Sequence, residues 1–225
     1  MKQYSWTLKY KQNDLFRPGE SFHLNACVGR NGGPYSFGAY SRGYFDAGDR
    51  LVQSIFDNHR YVDIIVYPLV FIYRHAVELG LKDLASRVPP LLGETQTIQL
   101  THRLLDNWRI VRGYLERCDG GLNDPDPIQL VEKVLADFVQ LDPKGETFRF
   151  PEDTHGNPHL QDTSIINVEV FASAMEKVHE AFEFWFDVTS ILWNDLSDSQ
   201  SSYPNEASLY PDEMLWDGPR DLGSG

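Results

Sequence analysis

Four residues whose side chains could do chemistry together, Arg74, His75, Glu78 and Lys82, interrupt the apolar run YVDIIVYPLVFIYRHAVELGLKDLASRV at residues 61–88. On a helix, at about 100° per residue, His75, Glu78 and Lys82 fall on one side and Arg74 lies one turn before Glu78. An imidazole moves protons near neutral pH, a carboxylate orients it, and guanidinium and ammonium groups steady phosphate charge. The same spacing also serves a salt-bridged rim where the helix reaches the surface. A polar cleft requires the opposite, groups buried and satisfied by one another.

The element that carries them has to be central. Residues 61–88 are apolar on nearly every side, whereas a surface helix keeps a continuous polar stripe. Pro68 starts or kinks it, and Pro89-Pro90 are expected to stop it. Around it the spacing predicts four more helices. One runs from Tyr44 to about Asn58 on Phe45, Leu51, Val52, Ile55 and Phe56; one from Leu100 to Gly120-Gly121 on Leu104, Leu105, Trp108, Val111 and Leu115, with Thr97 or Thr101 as cap. A third follows an Asp126 cap with Pro127 in its first position, and the last extends from about Ser164 to Asn194. Residues 144–163 read as a long ordered loop with a strand-like piece at Thr147–Phe150.

The expected fold is therefore all-α, an up-and-down bundle of about five helices over residues 43–195. Before it, residues 1–42 read as an irregular glycine-rich cap with short strands, YSWTLKY being the best strand. After it, residues 196–225 read as a disordered tail with six acids and one arginine. Its LYPDEMLW segment is aromatic enough to dock on a partner or on the domain itself. In the cap, Gly29, Gly32, Gly33, Gly38 and Gly43 with Arg30 and Arg42 offer backbone N–H groups and charge to an anion. They match neither the dinucleotide fingerprint nor the P-loop.

A formal net charge of −13 over 225 residues argues against binding DNA, because affinity for a polyanion comes from lysines and arginines that displace counterions. Cys27 and Cys118 are far apart and without metal-like pairing, and read as buried small hydrophobes. The N-terminus lacks the order of a secretory signal, and the longest apolar run, Ile64 to Tyr73, is too short for a bilayer. A cytoplasmic location without membrane contact is expected. His155 and His159 with Asp153 and Asp162 form a donor-rich loop, but Gly156 and Pro158 break the helical face that presents paired histidines to zinc. No metal and no cofactor is expected.

The segment RHAVELGLKDLA, a linker and THRLLDNW together resemble the HEPN superfamily, whose helices carry an A-x-E-x-x-LK-x-L segment followed by a T-H-D-L-like one. The matching positions are Ala76, Glu78, Leu81, Lys82 and Leu84, then Thr101, His102, Leu104 and Leu105. The resemblance implies an α-bundle that often dimerises. Some members resemble metal-independent ribonucleases marked by an Arg followed, after about four to six residues, by a His. Arg17-PGESF-His23 and Arg149-FPEDT-His155 fit that spacing, though both contain proline and neither lies on the helix where the family carries the motif. Three readings follow in order. The first is a HEPN-like homodimer acting mainly through protein contacts, as a component of a toxin–antitoxin or antiviral defence system. The second is a metal-independent endoribonuclease acting on RNA with Arg149, His155 and His102, or a composite of Arg74, His75 and His102. The third is a nucleotide or small-ligand sensor using the glycine-rich cap and the Arg74, His75, Glu78, Lys82 cleft.

Overall fold

Apolar side chains recur at three and four across five stretches, and each becomes a helix: α1 Phe37–Asn58, α2 Val62–Leu91, α3 Leu104–Leu115, α4 Pro125–Leu141 and α5 Val168–Ser201. The computed structural model describes residues 15–28, 36–59, 61–95, 98 and 100–201. The fold is an all-α bundle, and among the described residues the sole β pairing is an isolated bridge between Glu152 and Pro158. The YSWTLKY strand, Gly29, Arg30, Gly32, Gly33, Thr97 and the tail after Ser201 lie outside the described residues.

α2 is the hub, as its composition requires. Leu69, Ala76, Val77, Leu81, Leu84 and Val88 are fully buried, and α1, α3 and α5 all pack on it. It is long and apolar enough by composition to cross a membrane, with a mean hydropathy of 1.5, but 56% of that window is buried inside the bundle. α1 and α2 run antiparallel, and a Cβ on Gly48 of α1 would fall 2.7 Å from the Tyr73 ring of α2, while one on Gly80 of α2 would fall 2.5 Å from Phe182 of α5. Glycine at those positions lets the helices approach. α5 runs alongside α2 in the same direction, from Tyr73 against Phe171 to Arg87 against Ser190. α4 lies antiparallel to α5, with Phe138 against Phe171 and Pro127 beside Phe184.

Several boundaries differ from expectation, each for a tertiary reason. Residues 37–42, assigned to the irregular cap, are helical. Ser36 accepts the Ala39 N–H at 3.2 Å, and the buried Asp83 carboxylate, reaching across from α2, accepts the Gly38 N–H at 2.7 Å. Of the cap's remainder, residues 15–28 hold a single 3-10 turn, Phe22–Leu24, and Cys27 is exposed rather than buried. Pro89 and Pro90 do not stop α2. They form its last turn, and their carbonyls accept from Gly93 and Glu94 around a left-handed Gly93 at φ +74°.

α3 starts later than Leu100 because the buried Asn107 holds Thr101 outside the helix, accepting its N–H at 2.9 Å and donating to its carbonyl at 2.7 Å. α4 is capped by Asp124 rather than Asp126, so Pro125 takes the first position. Thr147–Phe150 is a turn, not a strand. α5 begins at Val168, with the Asn167 side chain accepting the Val170 N–H, and runs beyond the expected tail boundary to Ser201.

Candidate functional site

The α2 stripe splits in two. Arg74 and Glu78 turn inward, with side chains only 4% and 6% exposed. Glu78 is the node. Its Oε1 accepts from Lys82 Nζ at 2.8 Å and meets His102 Nδ1 at 2.9 Å, while its Oε2 lies 3.5 Å from Arg74 Nη1. Arg74 Nε lies 3.2 Å from Asp142 Oδ2, at an angle that is not that of a hydrogen bond. The other Asp142 oxygen accepts the backbone N–H groups of Glu146 and Thr147 at 2.8 and 3.1 Å. Gly145, at φ +80°, lies flat on the guanidinium; a Cβ there would sit 2.6 Å from Nη1. Two cations and two carboxylates thus neutralise one another below the surface, as buried charges must.

His102 is the exposed member. Its side chain is 84% exposed, yet Nδ1 faces the buried carboxylate, which leaves Nε2 on the solvent side. Burial pushes the Glu78 carboxyl up, but hydrogen bonds from Lys82 and His102 outweigh it and hold the group below the ordinary carboxylate range. An imidazole oriented through Nδ1 with Nε2 outward is an arrangement that can shuttle a proton, and the Lys82 ammonium stands one hydrogen bond away from the same carboxylate.

His75 lies apart from this group. Its ring packs edge-on to Tyr44 at 4.7 Å and parallel to Phe71 at 5.9 Å, and burial above all holds its imidazole below the usual histidine range. Arg149 lies over the rings of Phe71 and Phe150, at 5.5 and 5.1 Å. His155 sits in an exposed turn where its N–H and that of Asn157 both donate to Asp153. The structure therefore brings together Arg74, Glu78, Lys82 and His102, and places His75, Arg149 and His155 elsewhere. Compared with protein-family models, curated proteins and solved structures, the chain matches none.

Two groups of residues had no sequence signal. Asp142 reads as the stop of α4, and nothing local shows that it reaches Arg74. On the far side of α2, Asp49 of α1 accepts the Tyr73 O–H at 2.5 Å and meets His179 Nδ1 of α5 at 3.1 Å. His179 also stacks on Phe45 at 4.4 Å. Burial and the bond to Asp49 raise the Tyr73 phenol well above its ordinary value. Asp46, Asp49 and His179 place ligand atoms within 4.8 Å of one another, close enough to share one ion. Next to it, Arg42 bridges Glu183 and Asp187 at 2.9 and 2.8 Å, tying α1 to α5.

Proposed function

We propose that this chain is a HEPN-like helical protein that works through protein contacts, as a self-associating component of a defence or toxin–antitoxin assembly. The observation that carries the reading is an apolar trough joined to a second, more polar one. Two troughs meet at Thr163, Ile165 and Ile166, one against Val62, Val66 and Tyr67 of α2, the other against Phe138, Leu141 and Val170. Ile165 is 85% exposed and Val170 70%. Exposed apolar patches of this kind mark interaction sites.

Asp63 and Asp137 are the only charged residues lining the two troughs. On a chain of net charge −13, so few charges leave a second copy little repulsion to meet there. A two-fold contact pairs a patch with itself, which a mainly apolar face with few charges allows. Mass by light scattering tests it: a dimer is expected for the native chain and a monomer for Ile165→Asp. A native chain that stays monomeric at all concentrations overturns the reading.

The Glu78–His102 contact favours a second reading, a metal-independent ribonuclease. There His102 Nε2 takes the proton of an RNA 2′-hydroxyl as that oxygen attacks the adjacent phosphorus to form a 2′,3′-cyclic phosphate, and Lys82 steadies the phosphate as the 5′-oxygen leaves and takes a proton from water. Turnover of a labelled RNA by native and His102→Ala chains tests it.

A further inference from the structure

A groove of about 530 Å³ runs where the C-terminal half of α1, the middle of α2 and the N-terminal half of α5 meet. Its lining combines two features. Asp49 from α1 and Glu169, Glu176 and Glu180 from α5 line it with carboxylates, and no lysine or arginine lines it. The three glutamates are spaced seven and four apart, so they form one stripe along α5, roughly 16 Å long at helical rise. None of them forms an ion pair with a lysine or arginine among the described residues. The second feature is independent of charge: the same groove is floored by Val52, Phe56 and Ala172, and Phe56 is 43% exposed to water there.

From these two features we infer that the groove docks a basic amphipathic segment of a partner protein. Its lysines or arginines pair with the Glu169–Glu176–Glu180 row, and an apolar residue covers Phe56. Charge complementarity selects this occupant. A second copy of a chain carrying −13 is repelled here, as are nucleic acid and an anionic lipid surface. A small cation satisfies the carboxylates but leaves the aromatic floor wet. A helix on α5 matches both features, with basic groups at turn spacing along one side and aliphatic groups along the other. This inference rests on the protein-contact reading and names a second partner surface distinct from the apolar one.

Fluorescence anisotropy on the full chain tests it, with a labelled amphipathic peptide of about four helical turns built from leucine and lysine, and a counterpart carrying glutamate for lysine. The lysine peptide is expected to bind the native chain, to bind E169Q/E176Q/E180Q at least roughly tenfold more weakly, and to weaken as salt rises to about 0.3 M. Phe56→Ser is expected to weaken it without changing the salt dependence. A control chain, D119N/E152Q/D162N, loses the same charge elsewhere and should bind like the native protein. Equal weakening in that control reduces the effect to net charge and overturns the inference. So does binding of the glutamate peptide, or no binding of the lysine peptide at all. Loss of peptide binding by a chain that still has dimer mass refutes the groove alone. A monomeric chain that still binds the peptide refutes self-association alone.

Discussion

The buried cluster around Glu78 and the open groove along α5 hold the same kinds of side chain in opposite arrangements. At Glu78, cation alternates with carboxylate, Arg74 and Lys82 against Glu78 and Asp142, and every member has an opposite charge within 3.5 Å. In the groove, glutamates accumulate without cations. Burial decides the difference. A charge that has left water needs a partner at several kcal/mol per ion, whereas a solvated carboxylate is screened within roughly a Debye length and tolerates its neighbours. The cluster that reads as chemistry is therefore first a structural joint between α2, the α3 entrance and the loop after α4. The groove, which no motif announces, keeps its charge available for something else.

The largest expected effect breaks the joint. Arg74→Ala leaves Asp142 buried without its cation and removes one of those beside Glu78, and denaturant unfolding should show a loss of about 3–5 kcal/mol. Glu176→Gln, in the groove, should stay within about 0.5 kcal/mol of the native chain. Similar losses at both sites would erase the distinction. A smaller effect sharpens it. Gly145→Ala puts a methyl group into the Arg74 guanidinium at a left-handed φ, so a cost of about 1–3 kcal/mol is expected from a residue that carries no charge itself.

The smallest effect is in pH. His75 is held neutral, mainly by burial, at a pH where the unfolded chain takes up a proton. Stability is thus lost as pH falls below about 6.5 toward the depressed folded value, and none is lost above it. Glu78, also depressed, adds a second loss lower down, below about pH 4.3. Chemical denaturation of His75→Phe across that range should show the upper step removed and the lower one kept.

Much of the frame was legible because helices declare themselves by period. All five follow from apolar spacing, and the central place of α2 follows from its lack of a wet stripe. The meeting of Glu78 with the segment after Thr101 also agrees with the reading of residues 61–88 as an enclosed rod. What escaped was set by contacts distant in sequence. Asp83 extends α1 backward by capping Gly38, Asn107 delays α3, and Asp142 completes the pairing of Arg74. The tripeptide Asp142-Pro143-Lys144 reads as a helix stop because nothing local distinguishes a terminating aspartate from one that also anchors a buried guanidinium. The spacing of Arg149 and His155 was equally misleading, since a turn and a pair of aromatic rings hold them in separate places. In the groove, Glu169, Glu176 and Glu180 look like the plain wet face of α5 until α1 sets Asp49 and Phe56 beside them.

The measurement that bears most directly on this account is cleavage of a labelled RNA by the native chain, Lys82→Ala and His102→Ala, each checked to be folded at the assay temperature. If the charges around Glu78 serve the frame and the surfaces serve function, all three chains leave the RNA intact at the same background. Cleavage by the native chain that disappears in a fully folded His102→Ala protein would contradict it.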